Sequence, residues 1–320
     1  MKLKIRKLLF ALSVNSRRKT KELAKFIRSS QQSSSYLINQ YKKKNYIYDY
    51  ITIVDPIRLG FMNILVGFDF IKLEYAKKKE ILQLMSSHPN IVAIEENRQG
   101  VDLLVEYSVL NMSSFNKIHS EIIGRFQGEL TAKFIYPIIV KHRFHKNYLV
   151  RKGDFADIIL CGDRDQVNLT PNEKAILYNI SKNPEISISN LAVKTGISTK
   201  TIVKIKQKLE KQEVIKGYSC ILNNTKFEIH RHHIMFNFAY EGVRFINSFV
   251  QYARLHKNVV GLVKLLGHYQ VLITVEELKP SDIIKQIRTQ FPTDDYLVIN
   301  SEKIIKKNTA PVEDPSLKNE

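Results

Sequence analysis

The sequence predicts an α+β chain written twice: a helix-turn-helix unit followed by a four-strand, two-helix βαββαβ unit of the ferredoxin-like kind, and then both again. Three observations predict it. The first is the stretch 186–218, where Leu191 and Ala192 close a short apolar face, Gly196 permits a left-handed turn, and Ser198 stands as an N-cap before Ile202, Ile205 and Leu209. The second is an internal repeat. A shift of 168 positions places Leu23 and Ala24 under Leu191 and Ala192, Ser30 under Ser198, Tyr50 under Tyr218, and His88, Asn90 and Val92 under His256, Asn258 and Val260. The third is the order of periods downstream of each helix-turn-helix, where strand-like alternation and helix-like spacing follow one another twice in the same sequence.

Taken in order, Ile5, Leu8, Leu9 and Leu12 stripe a first helix, Leu23, Ala24 and Ile27 a second, and Ser30 caps a third that turns Ser34, Leu37 and Tyr41 inward. Arg28 stands where the second copy has Gly196. A left-handed arginine costs about 1 kcal/mol, so a turn of different shape is expected there. Residues 46–54 are strand-like and end at Asp55-Pro56. Four strands follow at 64–70, 91–94, 101–107 and 130–140, with helices striped by Ile81, Leu82 and Met85 and by Phe115, Ile118, Ile122 and Phe126. Pro137 cannot donate to a ladder, so the fourth strand is expected at an edge. In the second copy, Thr170-Pro171-Asn172-Glu173 combines a capping box with proline at the first helical position. The division expected is a helix-turn-helix domain at 1–55, a ferredoxin-like domain at 56–145, a linker at 146–169, the second pair at 170–222 and 223–305, and a polar, disordered tail at 306–320. Each sheet would have helices on one face and an apolar face opposite. That face must be covered by pairing, either inside the chain as a pseudo-dimer or between chains as a homo-oligomer.

The 320 residues carry a formal charge of +19, which favours a polyanionic partner, either nucleic acid or an anionic membrane surface. Thirteen of the lysines and arginines fall in residues 1–50 against only Glu22 and Asp49. Cys161 and Cys220 form no CxxC or ligand cluster, so a reducing compartment is the simplest inference. The apolar run 8–12 is shorter than a signal-peptide core of roughly 7 to 15 residues, and no stretch approaches the roughly 18 apolar residues of a membrane span. A soluble, cytoplasmic protein without a membrane partner is expected.

The second helix of each helix-turn-helix carries the candidate contacts to double-stranded DNA. Lys200, Lys204 and Lys208 lie off the apolar stripe and suit phosphates, with Ser198 and Thr201 at the helix start. Thr199 and Gln207 can read base edges. In the first copy the corresponding set is Gln31, Gln32, Ser33, Tyr36, Asn39, Gln40 and Lys43. A solvated lysine face is the plain alternative; the repeated motif is what favours DNA.

The histidines of KHRFH (His142, His145) and EIHRHH (His230, His232, His233) complete no recognisable metal-ligand spacing and read as structural or surface groups. No GxSxG, phosphate loop or Ser/His/Asp spacing is present. The sequence therefore predicts no catalytic residues, no metal, no cofactor and no enzymatic activity.

The order of parts resembles the Lrp/AsnC, or feast/famine, transcriptional regulators, in the double-unit form met in archaea. The likeness rests on Leu191, Ala192, Gly196, Ile197, Ser198 and Thr201, on Leu209, Glu210, Val214, Ile215, Gly217 and Tyr218, and on Ile53, Val54, Asp55, Pro56, Leu59 and Gly60. The resemblance implies a sequence-specific DNA-binding regulator whose ferredoxin-like domains pair through their sheets. It also implies an amino-acid effector at a GxYD-like turn before the third strand, here Gly100 and Asp102 in one copy and Gly267 and Tyr269 in the other. Each copy departs from that pattern: Gly100-Val101-Asp102 is one residue short, and Gln270 replaces the aspartate. Sirohaem-type decarboxylases of haem biosynthesis resemble the same family, so an enzyme of that kind is the alternative, with a sequence-indifferent architectural DNA binder as a third.

Overall fold

The computed structural model describes residues 2–72, 74–150, 156–240 and 242–312. The first unit consists of α1 (Leu3–Val14), α2 (Thr20–Ile27), α3 (Gln31–Lys43) and β1 (Ile47–Val54). Leu8, Leu9 and Leu12 of α1 are buried with Leu23 and Ile27 of α2, as the 3.6-residue period requires. The turn after α2 does not change shape: Arg28 adopts the left-handed conformation (φ 54°, ψ 60°) that Gly196 adopts in the second copy (φ 67°). The strain of about 1 kcal/mol is accepted, because Ser30 can then cap α3 by accepting from Ser33 N at 3.1 Å.

The first βαββαβ unit is β2 (Met62–Phe70), α4 (Tyr75–Ser87), β3 (Ile91–Gln99), β4 (Leu103–Val109), α5 (Met112–Arg125) and β5 (Leu130–Arg143), followed by the short β6 (Ile158–Cys161). The second half repeats the order. It consists of α6 (Pro171–Lys182), α7 (Ile188–Thr195), α8 (Thr199–Lys211) and β7 (Ile215–Leu222), then β8 (His230–Phe238), α9 (Val243–Leu255), β9 (Val259–Leu265), β10 (Val271–Glu277), α10 (Ile283–Gln290) and β11 (Thr293–Lys307). The capping box at Thr170 and Glu173 is formed.

The two ferredoxin-like sheets are joined within the chain. Both fourth strands run far beyond the roughly 5 to 6 residues of an ordinary strand and pair twice. From Leu130 to Pro137, β5 pairs with β2 of its own repeat, and from Ile138 to Arg143 with β9 of the other. Likewise β11 pairs with β8 up to Asn300 and from there with β3. The order β2-β4-β3-β11-β8-β10-β9-β5-β6, with β2 also paired to β5, closes the strands on themselves. The edge position expected for β5 is thus corrected. Pro137 falls where the strand passes from one partner to the next, the place at which a missing N–H is least costly.

The apolar faces opposite the helices meet inside this closed arrangement, where Leu65, Leu104 and Phe134 of one repeat pack with Met235, Leu265 and Leu272 of the other. The pairing expected of these faces is therefore satisfied within one chain, as a pseudo-dimer. β1 and β7 form a separate antiparallel ribbon. The linker span expected at 146–169 includes β6, and its residues 151–155 lie outside those described. Nor does ordered structure stop at 305: β11 reaches Lys307, Thr309 Oγ1 accepts from Val54 N at 2.8 Å, and Ala310 is buried against the second helix-turn-helix. Residues 313–320 of the expected tail lie outside the described set.

Candidate functional site

The helix-turn-helix candidates are mostly at the surface. On α8, Ser198 caps the helix by accepting from Thr201 N at 3.2 Å, and the two hydroxyls lie 2.9 Å apart, so both side chains serve the cap. Thr199, Lys200, Lys204 and Gln207 are exposed. Lys208 is also exposed, but its Nζ is 2.6 Å from Glu173 Oε1, so part of its charge is spent on α6. On α3, Gln31, Gln32, Tyr36, Asn39 and Lys43 are exposed, while Ser33 and Gln40 are half-buried.

The four effector candidates have structural tasks. Asp102 Oδ2 accepts from Phe70 N at 2.8 Å, and its counterpart Gln270 Oε1 accepts from Phe238 N at 2.7 Å, the same strand-end contact in both repeats. Gly100 has φ 94°, and a Cβ there would lie 2.5 Å from Val298 O. Gly267 admits the ring of Tyr136, which a Cβ would meet at 2.1 Å. Tyr269 donates to Asp295 Oδ2 at 2.9 Å, and burial together with that carboxylate pushes its hydroxyl up to about 12.

The chemistry that sequence reading missed lies between the two sheets, in a cavity of about 190 Å³ walled by inner faces of β3, β5 and β8 to β11 and by β7. Strand alternation explains it. In β8 the cross-strand pairs Arg231 with Glu276 and His233 with Thr274 belong to the inner face, whereas Ile234 and Phe236 continue the helix-covered face that His232 begins. Arg231 sits between two carboxylates, with Nε 2.8 Å from Glu95 Oε1 and Nη1 2.7 Å from Glu276 Oε1. Glu276 also accepts from Tyr148 Oη at 2.8 Å and from Lys146. His233 has Nδ1 3.1 Å from Thr274 Oγ1 and Nε2 3.0 Å from Glu95 Oε1, the second approach being too poorly aligned to count as a hydrogen bond. Two more cations complete the group, Arg143 from the end of β5 and Lys307 from the end of β11. Among the described residues neither has an ion-pair or side-chain hydrogen-bond partner.

These charges perturb one another. Burial alone would raise Glu95, but Arg231 and His233 beside it hold its carboxyl well below the usual range. Lys146 and Arg231 likewise outweigh burial and lower Glu276. The cations go the other way: burial, with Arg231 close by, brings Arg143 down to about 10, and burial with Arg231 and Arg143 takes Lys307 well below the ordinary lysine value. The cavity lining carries six cations (Lys141, Arg143, Lys146, Arg231, Lys306, Lys307) against three carboxylates (Glu95, Glu106, Glu276), so it is short of negative charge. The repeat held the signal. At the shift of 168, Arg231, His233 and Glu276 fall on Asn63, Leu65 and Ser108, a change from neutral to ionisable side chains at three inner-face positions. Of the histidines, His145 meets Ala156 O and His142 lies against Phe144. Among the described residues no group of three or more His, Cys, Asp and Glu is placed to hold a metal ion, and no helix is long and apolar enough to cross a membrane.

These elements define a two-unit architecture of helix-turn-helix and ferredoxin-like domains. The family model described as winged helix-turn-helix DNA-binding matches residues 169–216. No curated protein sequence matches the chain. Over nearly its whole length the chain is similar to the siroheme decarboxylase NirDL, at 15% identity and a TM-score of 0.59, covering 97% of this chain and 94% of that one. The same enzyme in co-complex with an iron-uroporphyrin III analogue gives 14% identity and a TM-score of 0.60 at the same coverage. An AsnC family transcriptional regulator from Agrobacterium tumefaciens is similar over 44% of this chain and 95% of its own, at 19% identity and a TM-score of 0.40. The expectation of a chain without enzymatic activity is corrected by this finding, because the fold that spans 97% of it is the fold of an enzyme.

Proposed function

We propose that the chain is an enzyme that removes carboxylate groups as CO2 from a polycarboxylate of the siroheme type, whose carboxylate arms enter the cavity between the sheets. The observation that carries this reading is the excess of lysine and arginine over carboxylate among the residues lining the cavity, which a carboxylate-rich substrate would neutralise. The full-length likeness to a siroheme decarboxylase supports the same assignment. In the reaction the bond from carbon to carboxylate breaks with its electron pair left on carbon, CO2 departs, and one proton forms the new C–H bond, so no oxidant is consumed. Of the three imidazoles lining the cavity (His142, His145, His233), His233 is the one oriented by Thr274 at Nδ1 and flanked by Glu95, and histidine is the side chain most often used as general acid. Arg231 and the other cations would hold the carboxylates that remain. The test is incubation of the purified protein with iron uroporphyrin, followed by mass spectrometry for successive loss of CO2. His233→Gln is expected to keep the bound-porphyrin absorption band and to lower turnover by roughly 10² to 10⁴. A variant with unchanged turnover would remove His233 from the mechanism. The effector candidates are spent on strand ends and on packing between repeats, which supports the cavity rather than those turns as the ligand site.

A second reading, contact with DNA, is favoured by α8. Its exposed Lys200 and Lys204 have no acidic partner among the described residues, and they lie within the matched winged helix-turn-helix segment. Changing both to Ala keeps helix propensity and is expected to reduce the salt slope of DNA binding by about 2 units, at roughly 0.9 per phosphate. Lys208→Ala is expected to change it less, because Glu173 already holds that ammonium. Unchanged affinity and slope in the double variant would take α8 off the DNA.

A further inference from the structure

We propose that Arg143 and Lys307 form a two-pronged clamp for a ligand carrying two carboxylates, one prong from each repeat. Their places in the fold are equivalent. Arg143 pairs across the strands with Gly261 of β9, and Lys307 with Ala93 of β3. Residues 93 and 261 occupy the same position of the two repeats, 168 apart. The closed strand order therefore brings one cation from each half to corresponding points of one cavity, although the fourth strands themselves show no register that would have revealed it. The residues opposite the two cations are also the smallest available. Directly opposed side chains share a face at about 5 Å, so Ala and Gly leave room beside each charge that a larger residue would fill.

Neither cation has a protein partner among the described residues, while their neighbours Arg231 and Lys146 do. Both are half-buried and of like charge, and although Glu276 acts on Arg143 and Glu95 on Lys307, no carboxylate pairs directly with either among the described residues, an arrangement that works against folding. A chain that keeps them gains something other than stability, and an anionic ligand is what the arrangement fits. The prongs differ in kind. Arginine offers a planar fork that grips one carboxylate with two parallel hydrogen bonds, whereas lysine is a point charge that tolerates any approach. The clamp would thus orient its ligand, with one carboxylate fixed in plane at Arg143 and the other only attracted at Lys307. Size limits what lies between them. A cavity of about 190 Å³ is a little larger than the roughly 150 Å³ space known to hold a benzene ring. What the clamp grips is therefore a short diacid or two carboxylate arms of one ring.

This inference rests on reading the cavity as the substrate site, and the experiment separates the two. Full-length protein is titrated at fixed ionic strength with propionate, succinate, glutarate and iron uroporphyrin, following the melting temperature and binding heat. Wild-type protein is expected to be stabilised by at least one of succinate, glutarate and iron uroporphyrin and not by propionate at twice the concentration. Arg143→Met and Lys307→Met are each expected to weaken that binding by roughly tenfold or more, the loss of one charge-assisted hydrogen-bonded contact. Each is also expected to raise the melting temperature without ligand, because a half-buried charge with no ion-pair partner among the described residues has been removed. If only the porphyrin responds, and loses its response in both variants, the carboxylates are arms of a ring; if the free diacids respond too, the clamp accepts them alone. Equal stabilisation by propionate, unchanged binding in both variants, or variants that melt lower without ligand would overturn the clamp. His233→Gln is expected to retain the diacid or porphyrin response. Should the clamp bind as described while no CO2 is released by any form of the protein, the decarboxylase reading fails and the clamp stands.

Discussion

The inner faces of the two repeats carry different side-chain chemistry at matching positions. In the first repeat the polar residues satisfy each other. Asn63 Nδ2 donates to Glu106 at 2.5 Å, Ser108 Oγ donates to Asn63 Oδ1 at 2.8 Å, and Lys141 Nζ donates to both oxygens of Glu106. One cation faces one carboxylate, and nothing is left over. At the matching positions of the second repeat stand Arg231, His233, Thr274 and Glu276, joined by Glu95, Lys146, Arg143 and Lys307 into a wall with more positive charge than it can pair. Duplication within one chain makes this possible. In a true homodimer any change appears twice, on both sides of the axis, whereas here one side can stay a neutral, self-contained network while the other becomes a site.

The largest effect is expected where the charged wall loses a carboxylate. Glu276 is almost wholly buried and partners Arg231, Lys146 and Tyr148, so Glu276→Gln leaves uncompensated charge inside and should cost about 3 to 5 kcal/mol in urea unfolding. The matching cut in the neutral network, Glu106→Gln, leaves Lys141 without its carboxylate while the amide oxygen can still accept from Asn63, and should cost about 1 to 3 kcal/mol. Equal costs would mean that the two walls are electrostatically alike, and the comparison would break.

A pH scan sharpens the same contrast. Lys306 is brought down to about 8 by burial, and Lys307 lies well below the ordinary lysine value for the same reason. For a lysine lowered in this way the unfolded chain holds more protons between the folded value and about 10.4, so stability rises with pH across that window. The melting temperature of the ligand-free protein is therefore expected to climb from about pH 8 to about pH 9, above which Cys161 and Cys220, pushed up to about 12 by burial, oppose the lysines, and Lys307→Met should flatten the climb. A fall over that range in the wild type would contradict the placement of these lysines. The smallest effect is expected at the first helix-turn-helix. Gln32→Ala on α3 should leave cavity binding unchanged and weaken a preferred DNA site by about 1 to 3 kcal/mol if its amide reads a base.

How far the sequence revealed the molecule follows from the range of each interaction. Helix caps at Ser30, Thr170 and Ser198 and the apolar periods are local, so the helix-turn-helix units and the βαββαβ order were legible. Closure of the sheets was not, because it depends on where β5 and β11 change partners, and Pro137 pointed to an edge when it marks that change. Order beyond residue 305 was hidden for a similar reason, since Thr309 and Ala310 are held by β1 and the second helix-turn-helix, far away in sequence. At the site, attention to histidines as metal ligands obscured the alternate strand positions. Arg231 and His233 face inward together, and Glu95, Arg143 and Lys307 come from three other strands and share no motif with them.

The central claim is that the charged wall of the second repeat, completed by Glu95 and Arg143 of the first, binds and decarboxylates a carboxylate-rich substrate. The most direct measurement is a single-turnover incubation with iron uroporphyrin in which bound porphyrin is followed by its absorption band and product by mass spectrometry. The account predicts stoichiometric binding followed by stepwise loss of CO2, with binding kept and CO2 loss suppressed in His233→Gln. Saturated binding by wild-type protein with every carboxylate still in place at the end of the incubation would contradict it.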